Sequence, residues 1–450
     1  MTRGRDGVDF AAGQRARATA HKESEPTPPK QLRLRRPDAP SLSDTGMQPK
    51  TPRPFGLRLG PASAASGRLT VPDPGTASSP FLASIRPEAQ RGSRGILSEA
   101  LRRSVPLDER IVLVVTDQHA MHHVRERGYV ESPARIAWIM KELGPTGLFL
   151  PVPPRSYPEK HIRDVHASDL VEYIKKACKN AGSGESIYPY VFPIRNAARP
   201  PRDLAVRAGY YCVDTFTPLN ANAYRAAKRA VDCAMTAAEQ ILRGHRIAYA
   251  LVRPPGHHAE RRTFGGFCYF NSAAVAAQHL SHHGKVAMLD IDYHHGNGQQ
   301  DIFYERSDVM TISVHADPRV AYPHFTGFSD ERGAGPGEGY NVNLPLPDDV
   351  DGERYRETLR RALLHVSRFR PAFLVLALGL DTAKGDPTGS WRLRAADFEI
   401  HGTMIGSLRI PTLVTQEGGY SSRSLGTVAR RFFQGLWAGY HQRRWEGHSG

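Results

Sequence analysis

The sequence predicts an α/β fold: a single large, doubly wound, mostly parallel sheet flanked by helices. Two observations predict it. Short, mostly apolar segments alternate along the chain with longer segments of helical periodicity, which is the order of β-α-β units. The apolar segments are typical of strands covered by helices on both faces. Because the alternation continues to the end of the chain, we expect one large domain and not two.

Six segments have the length and apolar character of buried strands. They span residues 111–116, 248–252, 285–290, 309–314, 373–378 and 412–416. Five segments have the periodicity of amphipathic helices. They span residues 221–242, 271–282, 351–369, 395–406 and 424–440. In open sheets of this kind ligands bind at the carboxyl ends of the strands, so functional polar residues should follow the strands.

Residues 1–105 differ in composition from the rest. They are rich in Arg, Pro, Ser, Gly and Ala without sustained periodicity, so we predict a disordered leader before a domain at 106–450. About +9 of the chain's net charge of +15 lies in the leader, so nucleic-acid binding is not expected beyond weak contacts by this segment. A nucleic-acid or partner-binding arm, a dispensable leader and a start codon placed too far upstream are the alternatives for it.

Composition also bears on the compartment. No apolar run reaches the roughly 18 residues of a membrane helix, and the N-terminus lacks the apolar segment of a secretory signal. Cys178, Cys212, Cys233 and Cys268 are widely spaced and form no paired motif, which favours a reducing compartment over a disulfide framework. We therefore expect a cytoplasmic protein that does not associate with membranes.

The segment after the predicted strand at 285–290 concentrates metal-binding side chains. It reads Asp-Ile-Asp-Tyr-His-His-Gly-Asn-Gly over residues 290–298. Asp292 and His294 are two residues apart, so on an extended chain both point to the same side and could reach one ion. Acidic, His and Gly residues at strand ends also serve solubility and turn geometry. The concentration of ligands favours a metal site over that alternative.

Polar residues follow three other predicted strands. His257 and His258 follow residues 248–252 on a Pro-Pro-Gly turn, and two imidazoles could act as general base and general acid near neutral pH. Asp381 follows residues 373–378 and is either a further metal ligand or a cap of the next element.

Two glycines after the strand at 412–416 allow Tyr420 to point inward. Together, Asp292, His294 and Asp381 would leave a fourth coordination position open, as in catalytic zinc sites. Because these ligands include no thiolate, Fe²⁺ or Co²⁺ could also bind.

Taken in order, these motifs resemble the histone deacetylase superfamily, and within it the acetylpolyamine amidohydrolases and class II-like deacetylases. The resemblance runs from about residue 111 to 439 and implies an arginase/deacetylase-like fold. Its motifs are RPPGHHA at 253–259, GGFCYFN at 265–271, LDIDYHHGNG at 289–298, GLDT at 379–382 and EGGY at 417–420. Residues 188–219 resemble an insertion that helps the acetylpolyamine enzymes form a dimer, so a homodimer is expected.

The resemblance implies roles for the catalytic residues. It makes Asp292, His294 and Asp381 the zinc ligands. His258 resembles the general base that activates the attacking water, and His257 resembles its electrostatic or acidic partner.

The resemblance also implies a substrate channel. Tyr420 resembles the tyrosine that binds the substrate carbonyl, and Gly266 and Phe267 fall where the family lines its channel. Glu185 is either an acidic selector for a cationic substrate or a solvated loop residue.

Further residues support the two histidines in this family. Asp290 resembles the acid that orients the first histidine and borders a potassium site, which Ser313 and Val314 could complete. Asn297 stands where class I enzymes carry an aspartate, and class II and acetylpolyamine enzymes also carry asparagine there. His258 should therefore be less strongly biased towards imidazolium.

The resemblance implies a zinc-dependent amidohydrolase that releases acetate and a free amine. We expect small acetylated amines, in particular acetylpolyamines, as substrates; the alternative is acetyl-lysine in proteins. Arginase-like enzymes with two manganese ions need a second carboxylate near Asp381, but Thr382 and Ala383 follow it. An inactive reader of acetylated chains should lack His258 or Tyr420, and both are present.

Overall fold

A computed structural model describes residues 105–192, 199 and 201–442 of this chain. The predicted leader therefore lies outside the described residues apart from Val105, which is 3% exposed and packs in the core. None of the described helices is both long enough and apolar enough to cross a membrane.

The centre of the described region is an eight-stranded sheet in which every strand pair is parallel. Its strands are β1 (Ile111–Val115), β2 (Phe149–Pro151), β5 (Ile247–Leu251), β6 (Val286–Asp290), β7 (Val309–Ala316), β8 (Asn341–Leu346), β9 (Phe373–Leu378) and β10 (Thr412–Gln416). Their order is β2-β1-β5-β10-β9-β6-β7-β8. A separate antiparallel pair consists of β3 (Ser186–Ile187) and β4 (Leu219–Asn220).

Helices cover both faces of the sheet. They are α1 (Ala134–Leu143), α2 (Lys160–Arg163), α3 (Ser168–Asn180), α4 (Leu204–Tyr211), α5 (Ala223–Leu242), α6 (Ser272–Ser281), α7 (Asn297–Phe303), α8 (Gly352–Phe369), α9 (Ala395–Gly406) and α10 (Leu425–His441). Alternate residues of β1 point to opposite faces: Ile111 and Leu113 join the core under α1, α8, α9 and α10, while Val112 and Val114 join the core under α5 and α6. The predicted doubly wound α/β fold is confirmed.

All six predicted strands are present, and two edge strands were not predicted. β2 has three residues and ends in Pro151, and β8 contains Pro345 as well as the polar Asn341 and Asn343. Proline cannot donate a hydrogen bond to a strand ladder, so it is tolerated mainly at sheet edges. Because both segments contain proline, they lack the continuous apolar character by which the central strands were predicted. The five predicted helices are also present, with ends shifted by at most two residues.

The sheet brings the predicted site motifs to one edge. β5, β10, β9 and β6 are neighbours, and because they are parallel their carboxyl ends lie on the same side. Asp290, the last residue of β6, pairs with Ala377 near the end of β9. The residues that follow these four strands are His257, His258, Glu417, Tyr420, Asp381, Asp292 and His294.

Candidate active site

Asp292, His294 and Asp381 meet at the carboxyl edge of the sheet. One ligand atom from each lies within 4.8 Å of the other two. His294 Nδ1 is 3.2 Å from Asp292 Oδ1 and 3.1 Å from Asp381 Oδ2. Both carboxylates are fully buried. The arrangement places two acids and one imidazole around a single point.

Backbone amides orient the two carboxylates. Gly418 N donates to Asp292 Oδ2 over 2.8 Å, and Tyr293 N donates to Asp381 Oδ1 over 2.9 Å. A Cβ on Gly418 would lie 2.4 Å from Asp381 Oδ2 and 2.6 Å from Asp292 Oδ2, so only glycine lets this loop approach the acids. The loop after β10 therefore closes over the ends of β6 and β9.

The charges in this cluster favour a bound cation. Burial and the neighbouring Asp292 raise the pKa of Asp381 above its usual range. Burial opposes protonation of His294, but hydrogen bonds to Asp292 and Asp381 outweigh it and raise its pKa to about 9. Two buried carboxylates need a positive charge between them. A divalent cation supplies that charge, and N/O donors of this kind suit Zn²⁺, Fe²⁺ or Co²⁺.

The adjacent His257 and His258 lie beside this cluster with rings 3.9 Å apart, and their partners differ. His257 Nδ1 donates to Asp290 Oδ2 over 3.0 Å, whereas His258 Nδ1 donates to Asn297 Oδ1 over 2.7 Å. Thus the predicted pairings of Asp290 and Asn297 with the two histidines are present.

The two histidines have opposite protonation preferences. Burial opposes the charge of His257, but Asp292 and Asp290 outweigh it and raise its pKa to about 10. Burial and the charge of His257 lower the pKa of His258 well below its usual value. The opposite directions of these pKa shifts favour His258 as the proton acceptor and His257 as the proton donor.

A cavity of about 220 Å³ opens onto these groups. Its lining consists of Phe216, His257, His258, Gly266, Phe267, His294, Tyr322, Thr388 and Tyr420. Burial raises the pKa of Tyr420 well above its usual value, so its hydroxyl stays protonated and can donate. Gly266 has a φ of +56°, and a Cβ there would lie 2.1 Å from His258 Cδ2. Glycine at this position leaves room for the His258 ring.

The remaining predicted residues lie away from this cavity. Ser313 on β7 pairs in register with Asp290 on β6, and Val314 follows it in the core. The Ser313 hydroxyl is 2.8 Å from His315 Nδ1. A potassium ion beside these residues stays a prediction. Glu185 is exposed, accepts a hydrogen bond from Gly182 N over 3.2 Å and does not line the cavity, so the structure does not bring it to the site.

A buried ion network behind Tyr420 was not predicted. Arg135 donates to Gly419 O over 2.7 Å and also to Glu417 O, and its guanidinium lies 4.6 Å from the centre of the Tyr420 ring. Glu131 accepts from Arg135 over 3.1 Å and from Arg253 over 2.7 Å. The network fixes the loop that carries Tyr420. Its only sequence signal is the i, i+4 spacing of Glu131 and Arg135, which is common on solvated helices.

A second carboxylate missed from the sequence supports the same loop. Asp386 Oδ2 accepts hydrogen bonds from Tyr420 N over 2.6 Å and from Ser421 N over 2.9 Å. Its other oxygen accepts from Thr388 N over 3.1 Å, and Thr388 lines the cavity. Asp386 thus links two parts of the cavity wall that are far apart in the chain.

The fold and the site place the chain in a known class. Residues 129–436 match the histone deacetylase domain family, and the chain belongs to that family. The resemblance predicted from the motifs is confirmed. Members of the family hydrolyse acetyl–amide bonds, and family membership makes this chain an enzyme of that class.

Particular relatives include acetylpolyamine amidohydrolases. The chain is 35% identical over 339 residues to acetylpolyamine amidohydrolase 2 of Pseudomonas aeruginosa, covering 72% of this chain and 98% of the relative. It is 32% identical over 352 residues to histone deacetylase 15 of Arabidopsis thaliana, covering 76% and 58% respectively. The crystal structure of acetylpolyamine aminohydrolase from Burkholderia pseudomallei superposes with a TM-score of 0.69 at 37% identity, covering 73% of this chain and 99% of that one.

Proposed function

We propose that this protein is a zinc-dependent amidohydrolase that removes acetyl groups from small acetylated amines, in particular acetylpolyamines, and releases acetate and a free amine. One observation carries the proposal. Asp292, His294 and Asp381 converge on one point, and His294 lines a small cavity together with His257, His258 and Tyr420. Metal-assisted hydrolysis of an amide uses a Lewis acid, a base, an acid and an oxyanion donor; this set would hold the metal and supplies the other three.

The zinc ion would be held by Asp292, His294 and Asp381, and Fe²⁺ or Co²⁺ would suit the same ligands. When bound, it would supply Lewis-acid chemistry that polarises the acyl carbonyl and lowers the pKa of the attacking water. The backbone amides of Gly418 and Tyr293 hold the carboxylates in place for it.

The protein's own residues move the protons. His258 is neutral with its Nδ1–H committed to Asn297, so its Nε2 lone pair can take a proton from water as the acyl carbon is attacked. The Tyr420 hydroxyl donates a hydrogen bond to the developing oxyanion. His257 or His258 gives a proton to the nitrogen as the C–N bond breaks, and the amine leaves neutral.

The cavity supports a slender substrate. Phe216, Phe267 and Tyr322 form its aromatic wall, with the rings of Phe216 and Phe267 centred 5.5 Å apart and those of Phe216 and Tyr322 centred 5.6 Å apart. An acetylated aminoalkyl chain has the cross-section that such a wall admits. The side chain of acetyl-lysine shares that cross-section, so acetyl-lysine in proteins is the competing substrate.

Turnover by the zinc-loaded full-length protein distinguishes the two substrates. We expect kcat/KM for acetylputrescine and acetylspermidine to exceed that for an acetyl-lysine peptide by at least about tenfold, equivalent to about 1.4 kcal/mol. The zinc-loaded His258→Ala variant serves as the inactive control. Equal or faster turnover of the peptide would contradict the polyamine assignment while leaving the deacetylase assignment intact.

We also propose a homodimer in the cytoplasm. Tyr190, Val191 and Phe192 expose apolar side chains in the predicted insertion, and Tyr190 is 79% exposed. Residues 193–198 and 200 of that insertion lie outside the described residues. Sedimentation of the wild type and of Tyr190→Asp tests the dimer, which a monomeric wild type would contradict.

The cysteines support the cytoplasmic location. All four are buried and unpaired, as is usual in a reducing compartment.

A further inference from the structure

Behind His258 lies a chain of two further polar side chains. Asn297 Oδ1 accepts the hydrogen bond from His258 Nδ1 over 2.7 Å. On its other side, Asn297 Nδ2 donates to Glu260 Oε1 over 2.8 Å. His258 and Asn297 are each at most 3% exposed, so the hydrogen bond between them is shielded from water, whereas Glu260 is half-buried. Glu260 therefore touches neither the metal ligands nor the cavity, but it touches the residue that orients His258.

The carboxylate of Glu260 determines which way the Asn297 amide points. An ionised carboxylate only accepts hydrogen bonds, so it selects the NH₂ group of the amide. A flipped Asn297 would place its oxygen against the Glu260 oxygen and its NH₂ group against His258 Nδ1. With the amide fixed, only an oxygen faces His258, and His258 Nδ1 must carry the proton. The lone pair of neutral His258 is then on Nε2.

Glu260 is itself held in one place. Thr263 Oγ1 donates to Glu260 Oε2 over 2.5 Å, and the backbone nitrogen of Glu260 donates to Thr263 O over 2.9 Å. The Glu260 carbonyl lies 2.8 Å from His166 Nδ1. These contacts make Glu260 a fixed acceptor for Asn297.

The neighbouring histidine shows what the intervening amide changes. His257 contacts Asp290 directly, and a directly bonded carboxylate favours the imidazolium form. In the chain behind His258 the carboxylate of Glu260 lies one amide further away. The Asn297 amide orients the His258 ring without placing a full negative charge against it.

We propose that Glu260 is a positioning residue for the hydrolysis: it locks the Asn297 amide and thereby keeps the proton of neutral His258 on Nδ1, leaving Nε2 free to accept a proton from water. The inference rests on the proposed function of His258. It adds a residue that contacts neither substrate nor metal.

Three single variants test the lock in the zinc-loaded protein. Glu260→Leu removes the acceptor, and we expect kcat to fall roughly 10- to 100-fold with KM within about twofold, part of the ~10²–10⁴ that a general base contributes. Glu260→Gln retains an acceptor oxygen and should lose less than about fivefold. Glu357→Leu is the matched control, because it makes the same change at an exposed position on α8, and its kcat should stay within about twofold.

A charge swap separates positioning from a merely structural role. Asn297→Asp alone places two carboxylates against each other and should lower kcat strongly. In the double variant with Glu260→Gln, the new amide can donate to the new carboxylate. We expect the double variant to recover at least about tenfold of the kcat that Asn297→Asp loses, since contacting residues couple. This comparison holds even if Glu260→Leu does not fold.

The outcomes separate this inference from the proposed function. Purely additive losses in the double variant, or an unchanged kcat in correctly folded Glu260→Leu, would overturn the role of Glu260. If zinc-loaded His258→Ala retained wild-type turnover, the proposed function would fail first and this inference with it. An inactive His258→Ala combined with recovery in the double variant supports both.

Discussion

The hydroxyl of Tyr322 donates a hydrogen bond of 3.0 Å to Asp214 Oδ2, which also accepts one of 2.6 Å from Gly266 N. Tyr322 and Gly266 both line the cavity, and the Tyr322 ring lies 4.7 Å from that of His258. Thr217 Oγ1 donates to the same oxygen over 3.1 Å. One buried carboxylate thus holds two parts of the cavity wall against the proposed base.

Replacing Asp214 with Ala should loosen this wall. The change leaves the Gly266 N–H and the hydroxyls of Tyr322 and Thr217 without their acceptor, and each buried unpaired group costs about 1–3 kcal/mol. We expect the free energy of unfolding to fall by about 3–5 kcal/mol and KM to rise by about tenfold. Urea unfolding and steady-state kinetics measure the two effects. Asp317→Ala, which removes an ion pair and a backbone hydrogen bond that both go to the exposed Arg319, is the control. Equal destabilisation by both changes would contradict the prediction.

Replacing Tyr420 with Phe should remove the oxyanion donor and little else. We expect kcat to fall by about 10²–10³, the usual effect of losing one such donor, with zinc content unchanged. Tyr129→Phe is the matched control, because the Tyr129 hydroxyl is buried and has no hydrogen-bond partner among the described residues. Metal analysis and single-turnover rates give the readout. A Tyr420→Phe enzyme as fast as Tyr129→Phe would refute the role of the hydroxyl.

Replacing Glu131 with Gln should destabilise the fold and the loop that carries Tyr420. It leaves the buried guanidiniums of Arg135 and Arg253 without their shared counterion, which costs about 3–5 kcal/mol. Glu142→Gln, which breaks a half-exposed pair with Arg430, should cost less than about 1 kcal/mol. Thermal unfolding of both variants compares them, and similar melting temperatures would count against the network.

The Glu131 network also predicts a pH dependence. Burial raises the pKa of Glu131, but the charges of Arg253 and Arg135 outweigh it and hold the pKa below its usual value of 4.5. Because the folded pKa is lowered, the stabilisation is complete above the unfolded pKa and is lost as pH falls through the folded value. The difference in stability between wild type and Glu131→Gln should therefore shrink below about pH 4.5.

Replacing His401 with Phe should stabilise the protein. His401 is 2% exposed, its Nε2 has no hydrogen-bond partner among the described residues, and its ring lies 4.7 Å from that of Tyr355. Burial and the charge of Arg356 lower its pKa to about 3. The unfolded chain binds this proton first, so stability is lost as pH falls below about 6.5.

The His401→Phe variant should not lose stability in this way, because phenylalanine does not bind a proton. We expect a gain of about 1 kcal/mol at pH 7 and about 2 kcal/mol more at pH 5, since each pH unit below 6.5 costs about 1.4 kcal/mol. Urea titrations at both pH values measure the gain. His283→Phe at an exposed position should show neither effect. A loss of stability in His401→Phe at both pH values would show that the imidazole is needed there.

The elements that could be predicted from the sequence are those with a simple, repeated pattern of apolar and polar residues. The central strands are continuous apolar runs, and the polar residues that follow them, such as Asp292 and Asp381, meet because parallel strands end at one edge. The edge strand β8 was missed because Pro345 and its asparagines interrupt the pattern. The roles of the site residues stay predictions.

Tertiary pairing accounts for the other omissions. Asp214 and Asp386 act on residues 34 or more positions away in the chain, and neither belongs to a motif. Glu185 was singled out for its charge, yet its local hydrogen bond to Gly182 N keeps it in its own loop. No periodicity or spacing indicates which distant backbone amide a carboxylate will reach.

The position of β10 has a consequence for synthesis of the chain. Residues 412–416 are the last of the described strands to leave the ribosome, yet they lie between β5 and β9. A chain that stops before this strand holds two unjoined half-sheets, β2-β1-β5 and β9-β6-β7-β8, with the histidine pair on one half and the acidic cluster on the other. Truncated products should therefore be inactive, and hydrolysis should begin only after β10 has joined the two half-sheets.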